Sequence, residues 1–127
     1  MAQTTTMTLV EFLGQRLDED EADARAAAEF APGQWASWNR SWDTDPVRDL
    51  AADNGRIAAL PMPLAGHIAR HDPARVLREV EAKRAIVDVA DRWTYGDERE
   101  APDGHAVLRH LAAVYQDHPD YREEWRP

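Results

Sequence analysis

The dipeptide Asp72-Pro73 constrains what this chain can fold into more tightly than any other pair of residues. Proline fixes its own φ near the helical value and has no amide hydrogen, so it suits the first position of a helix, where that hydrogen would lack a partner anyway. Its ring also pushes the preceding residue away from helical geometry. Asp72 is then held where its carboxylate can accept the first free N–H groups of the new helix, that of Arg75 or a neighbour. One helix must stop before Asp72 and another must start at Pro73. The spacing predicts a short helix over 64–71 that buries Leu64, Ala65 and Ile68, followed by a long one over 73–93. In the long helix Val76, Leu77, Val80 and Val87 form one apolar stripe, and Ile86, Val89, Ala90 and Trp93 form a second. Two stripes imply a helix covered on two sides, with the rest of the chain packed around it. Glu79 with Lys83, and Glu81 with Arg84, stand at ion-pair spacing, each pair contributing roughly 0.3 kcal/mol.

Upstream, residues 1–6 read as a disordered lead. Thr8 and Glu11 then form a capping box, flanked by Met7 and Phe12 at the staple positions, which starts a helix over about 9–29. Leu9, Phe12, Leu13, Leu17, Ala24, Ala27 and Ala28 share one side of it, although Asp20 falls in the same sector and is expected to lie at a solvated edge. Glu21 and Arg25 stand in the favourable i, i+4 order. Pro32-Gly33 ends the helix. Trp35, Trp38 and Trp42 follow in a stretch read as a strand.

Asn54-Gly55 carries the signature of a two-residue hairpin turn, since both residues tolerate positive φ. Pairing about it sets Leu50 opposite Ala59, Ala52 opposite Ile57 and Asp53 opposite Arg56, and Pro61 and Pro63 close the resulting meander. Thr94 to Gly104 reads as a loop. A further helix over about 104–116 presents Val107, Leu108, Leu111, Val114 and Tyr115, and His118-Pro119 opens a last turn in which Tyr121 and Trp125 dock the tail. The fold class is α+β, mainly helical, with a small antiparallel hairpin or meander at about 35–60, in a single domain of 127 residues.

The chain has no cysteine, which removes disulfides, thiolate metal sites and a cysteine nucleophile and suits a reducing cytoplasm. No stretch has the length and apolarity of a signal peptide or a membrane span. The net charge of −9 opposes nonspecific attraction to nucleic acid or to an anionic membrane. The charge is uneven: Asp18, Glu19, Asp20, Glu21 and Asp23 cluster in the first helix, whereas Arg70, Arg75, Arg78, Lys83 and Arg84 gather around Asp72-Pro73.

Three segments carry a resemblance. His67-Ile-Ala-Arg-His-Asp-Pro-Ala-Arg-Val-Leu-Arg-Glu-Val-Glu-Ala-Lys-Arg84 with the aliphatic helix after it, the opening Leu9-Val-Glu-Phe-Leu-Gly-Gln-Arg-Leu-Asp-Glu-Asp-Glu21 and the closing Tyr115-Gln-Asp-His-Pro-Asp-Tyr-Arg-Glu-Glu-Trp-Arg-Pro127 resemble a family of uncharacterised proteins found in actinobacteria and their phages. The resemblance implies a prokaryotic or phage accessory protein. It transfers no catalytic residue, and the tryptophan, hairpin and 94–104 regions match no pattern of that family.

Several residues remain as candidates. His67 and His71 are spaced i, i+4, as paired metal ligands on a helix are, but a zinc-protease helix would place glutamate where Ile68 stands, and the spacing of His105, His110 and His118 selects no third ligand. The basic face of Arg70, Arg75, Arg78, Lys83 and Arg84 could hold phosphate or carboxylate, with internal pairing to Asp18–Asp23 as the simpler reading. A short helix, a tight turn and a longer basic helix over 64–93 are also the parts of a helix-turn-helix reader of DNA, although burial of both faces of the longer helix would leave little to enter a groove. There is no nucleophile elbow and no phosphate-binding glycine loop. The reading that fits these residues best is a non-enzymatic protein-binding or regulatory module with no cofactor. Its partner is expected to be a protein met by Asp18, Glu19, Glu21, Trp38 and Trp42, with a homo-oligomer left open. A metal-dependent hydrolase or nuclease using His67 and His71 is the alternative from another class, and a DNA-binding regulator is the third.

Overall fold

A computed structural model describes residues 7–39, 46–94 and 102–127, with Asn39 described in its backbone only. Trp42, the lead over 1–6 and residues 95–101 of the expected loop lie outside the described residues. The described chain contains four α-helices and one three-stranded sheet, in the order α1 (Leu9–Phe30), β1 (Ala36–Asn39), β2 (Val47–Ala52), β3 (Gly55–Pro61), α2 (Met62–Arg70), α3 (Pro73–Arg92) and α4 (Pro102–Ala113). A 3-10 turn at Glu123–Trp125 ends it. The mainly helical α+β class follows. None of the described helices is long and apolar enough to cross a membrane.

The chain divides into two compact units, residues 1–19 with 80–127 and residues 20–79, and the division falls within α1 and α3. In the first unit α1 begins as its capping box dictates. The Thr8 hydroxyl accepts from the Glu11 amide at 3.1 Å, and the Glu11 carboxylate accepts from the Thr8 amide at 3.2 Å. Phe12, Leu13 and Leu17 are essentially removed from solvent, each burial stabilising by about 2 kcal/mol. From α3 this unit buries Val80, Val87 and Ala90, and from α4 it buries Gly104, Leu108 and Ala112, which recur every fourth residue. The tail docks as its aromatics require. Trp125 is 8% exposed, with its ring 5.0 Å from that of Phe12, and Tyr121 meets Phe12 edge-on at 6.0 Å.

A buried cation accompanies these rings. Arg16, 5% exposed, lies over Phe12 and donates to His118 Nδ1 at 2.8 Å and to Glu19 at 2.9 Å. The Asp120 amide also donates to His118 Nδ1, at 3.0 Å, so two donors converge on one ring nitrogen. That nitrogen must carry a lone pair, which places the proton of the neutral ring on Nε2. At the surface of the tail Glu123 and Arg126 make a two-point pair at 2.7 and 3.0 Å. The hydrogen bond from Arg126, aided by its charge, lowers the Glu123 pKa below the ordinary carboxylate value and raises that of Arg126.

In the second unit the sheet is antiparallel in the order β1-β2-β3, and α2 lies over all three strands. Leu50, 2% exposed, and Ala65, fully buried, are the centre of that contact. The turn differs from the Asn54-Gly55 reading. Ala52 pairs with Gly55, so the two-residue loop is Asp53-Asn54, one residue earlier than expected. No residue other than glycine has positive φ among the described residues, and at this turn the positive φ falls on Gly55, at 123°. A bulge between Leu50 and Ala51 then sets Leu50 against Ala58 and Ala51 against Arg56, instead of the expected partners. Tertiary bonds fix the turn there: the Asp53 amide donates to Pro32 O at 3.0 Å and the Asn54 side chain to Phe30 O at 3.0 Å. Gly33, at φ 84°, lies directly beneath the Asp53 carboxylate, where a Cβ would collide with it.

Other expectations need correction. Helix α2 starts at Met62, with Pro63 in its first turn, and only one narrow face meets the sheet, so Leu64 turns outward and is 45% exposed. The second stripe of α3 is mostly open: Ile86, Val89 and Trp93 are exposed, and only Ala90 is covered, where Gly104 brings the backbone of α4 against it. Helix α3 is therefore not wrapped on two sides. Val114 lies beyond the end of α4 and is exposed. Glu79 pairs with Arg75 at 2.9 Å, one turn before the expected Lys83.

Candidate functional site

The second unit contains a cleft of about 520 Å³ at the edge of the sheet, between β1, α2 and the first turns of α3. It exists because its walls are short: Gly66 and Ala69 of α2 and Ala74 of α3 contribute almost no side chain. Three long cations surround these small residues. Arg70 comes from the last turn of α2, and Arg75 and Arg78 come from α3 at i, i+3 spacing, which puts them on the same side of that helix.

Asp72 holds the cleft together. It is 5% exposed, and both carboxylate oxygens are engaged: Oδ1 accepts from the Arg75 amide at 2.9 Å, which is the expected cap, and Oδ2 accepts from the Trp35 amide at 3.0 Å. A single side chain thus fixes the start of α3 and the approach to β1. Trp35 is fixed a second time, because its indole Nε1 donates to Ala31 O at 2.7 Å, just past the end of α1. Asp72 was legible as a cap, whereas nothing in the spacing pointed to Trp35 as its second partner across 37 residues.

The arginines differ in how freely they can act. The Nε of Arg75 donates to Glu79 at 2.9 Å and its Nη1 to the Arg70 carbonyl at 3.2 Å, so this side chain is held in place. Arg70 and Arg78 have no ion pair among the described residues. With Asp72 counted against them, and Glu79 against Arg75, the cleft keeps a net positive character in a chain of charge −9. Such a cavity can hold a carboxylate or phosphate oxygen between planar guanidinium forks.

The other sequence candidates lie elsewhere. His67 and His71 face each other with ring centroids 4.5 Å apart, and His71 Nδ1 is within hydrogen-bond distance, 2.8 Å, of the His67 carbonyl. His71 is the residue that ends α2, so the pair has a structural role in the C-cap. No group of three or more His, Asp or Glu side chains is arranged to hold a metal among the described residues. Asp18 pairs with Arg84 at 2.7 Å, Glu19 with Arg16 and Glu21 with Arg25 at 3.3 Å. The Asp18–Arg84 pair is one instance of the internal neutralisation expected between the acidic and basic stretches. Trp38 on β1 is 63% exposed. The buried Arg16 was missed in the sequence, although an arginine between Leu13 and Leu17, four residues from Phe12, was the available sign.

No match is found among curated proteins, and none among solved structures. The model of a family of unknown function, DUF6221, matches residues 6–127, and the chain belongs to that family.

Proposed function

We propose that this chain is a non-enzymatic binding module, a prokaryotic or phage accessory protein, that captures anionic groups of a protein partner in the Arg70/Arg75/Arg78 cleft. The observation that carries the reading is the pair Arg70 and Arg78, two guanidiniums without ion pairs among the described residues, on the rim of a cleft shaped by glycine and alanine. An overall charge of −9 would push away a polyanion as large as duplex DNA, whereas a short acidic segment feels mainly the local field within a Debye length of about 8 Å. The resemblance to actinobacterial and phage proteins supports the accessory role. The acidic side chains Asp18, Glu19 and Glu21 fit a contact surface less well, because each already has a basic neighbour.

Calorimetric titration of the purified chain with a capped oligoglutamate, and separately with duplex DNA, tests the reading. Oligoglutamate is expected to bind, with an affinity that falls as salt rises and is lost in the Arg70→Glu/Arg78→Glu double variant, while DNA does not bind. Failure of oligoglutamate to bind at low salt, or full retention in the double variant, overturns the reading. So does tighter binding of DNA.

A further inference from the structure

The arginine cleft lies along an unpaired edge. β1 is an outer strand of the sheet, hydrogen-bonded on one side only, to β2, among the described residues. Trp35, Ala36 and Ser37 form one wall of the cleft. An edge strand exposes a row of peptide N–H and C=O groups that can pair with another extended chain. Edge and arginines therefore face the same space. We infer that the partner segment is an extended acidic peptide that adds to the sheet alongside β1, an inference that rests on the anion-binding reading of the cleft.

The register of the sheet fixes which side chains of such a peptide meet the arginines. Ser37 pairs with Leu50, and Leu50 with Ala58, so these three lie in one row, on the sheet face that α2 covers. Arg70 of α2 and Arg75 and Arg78 of α3 surround the cleft on that same side. In a strand laid next to β1, every second side chain points to that face and the others to the opposite one. β1 has four residues, so an added strand of equal length places about two side chains against the cleft. That number matches the two arginines without ion pairs, Arg70 and Arg78, while Arg75 is held by Glu79. The alternate side chains fall on the face that carries the exposed Trp38, where β-branched or apolar residues can pack beside the indole. The expected ligand therefore has acidic and β-branched residues in alternation.

Backbone pairing and side-chain spacing disfavour other occupants. A helix docked in the cleft would leave the outward-facing peptide groups of β1 unused and would present acids at i, i+3 or i+4 instead of every second residue. A free anion would use the arginines but not the edge.

The test uses the full chain and three probes of equal charge: a capped peptide of alternating Glu and Thr, its twin with backbone N-methylation on the residues that would pair with β1, and capped oligoglutamate. Binding is read by calorimetry, and amide hydrogen exchange is followed at Ala36, Ser37 and Trp38. The alternating peptide is expected to bind about tenfold tighter than its N-methylated twin, to slow exchange along β1 and to lose binding in the Arg70→Glu/Arg78→Glu variant. Equal affinity of the twin, or unchanged exchange along β1, overturns strand addition. If oligoglutamate still binds through the arginines in that case, the anion-binding reading stands alone. If none of the three binds, both fall.

Discussion

Replacing Asp72 separates its two structural bonds from its charge. Asp72→Ala removes the cap of α3, at a cost of about 1 kcal/mol. It also leaves the Trp35 amide without its acceptor at a site where Asp72 itself is 5% exposed, which costs a further 1–3 kcal/mol or so. The sum is about 2–4 kcal/mol, a large part of the roughly 5–15 kcal/mol that holds a domain folded. Asp72→Asn keeps one strong acceptor oxygen. Asparagine caps as well as aspartate does, so the oxygen that meets Arg75 can stay, but the other oxygen becomes an NH2 donor that cannot accept from the Trp35 amide, leaving a loss of about 1–3 kcal/mol. The two variants also differ from the wild type in the cleft. Both remove a negative charge from beside Arg70 and Arg78, but only the asparagine variant keeps the start of α3, and with it Arg75 and Arg78, capped in place. It should therefore bind oligoglutamate more tightly than wild type while being less stable.

Urea unfolding followed by tryptophan fluorescence measures the first effect, and hydrogen exchange at the Trp35 amide localises it. In Asp72→Ala that amide should exchange faster before the rest of the sheet does. Two outcomes would refute the reasoning: equal stability of the alanine and asparagine variants, which would mean that the cap bond to Arg75 contributes nothing, or weaker oligoglutamate binding by the asparagine variant, which would mean that the charge in the cleft does not oppose the ligand.

Further predictions concern the frame around the cleft and the tail. Trp125→Ala removes a ring packed on Phe12 and Tyr121 and should cost about 3 kcal/mol, seen as a lower urea midpoint and loss of near-ultraviolet ellipticity; a change under about 0.5 kcal/mol would show that the tail does not dock. Gly33→Ala forces an alanine to φ 84° against the Asp53 carboxylate and should destabilise by about 2 kcal/mol or more, whereas Gly66→Ala, with nothing near its Cβ, should leave stability within about 0.5 kcal/mol or raise it. The Glu123 carboxyl should titrate below the ordinary carboxylate range in a carbon-detected NMR titration and move up in Arg126→Gln, since its hydrogen bond to Arg126 is the main cause of the shift. Because the folded pKa is depressed, the contribution of this exposed pair is present above the ordinary carboxylate pKa and disappears as pH falls through the folded one. An unchanged Glu123 midpoint in the variant would contradict the pairing.

How much of this was legible depended on whether the signal was local. Thr8 and Glu11, Asp72 and Pro73, and Glu21 and Arg25 all act within four residues of one another, and each does what its spacing requires. The hairpin was read to within one residue. It missed because Asn54 is held by Phe30 and Asp53 by Pro32, contacts from more than twenty residues away that outweigh the turn preference of Asn-Gly. The second stripe of α3 reads as buried in the sequence, yet it is mostly open, because apolarity shows what a face can cover, not whether anything covers it. For the site, the arginines were visible as a basic run. The cleft was not, because it depends on Gly66, Ala69 and Ala74 being small at three positions that meet only in the fold.

The second unit is built unlike the first, and the difference bears on what the cleft can do. The first unit buries Phe12, Leu13, Leu17, Val80, Val87 and Leu108, a conventional apolar core. The second buries Ala24, Ala31, Leu50, Ala65 and Pro73, of which only Leu50 and Pro73 carry a side chain larger than a methyl group. At about 25 cal/mol per Å² of apolar surface, so little burial offsets little conformational entropy, and polar ties have to fix the geometry instead. Asp72 joins Trp35 to α3, Trp35 joins Ala31, and Asn54 joins Phe30. Ties of this kind are directional, so they set the distance between β1 and the arginines without filling the space between them. A larger core would have stabilised the unit at the expense of the cleft. Filling that space should therefore separate stability from binding: Ala69→Leu, on the cleft wall in α2, is expected to leave the unit folded and at least as stable while abolishing oligoglutamate binding. Retention of full binding by a folded Ala69→Leu variant would show that the anion does not enter the cleft, and the arginines would then act from the open surface.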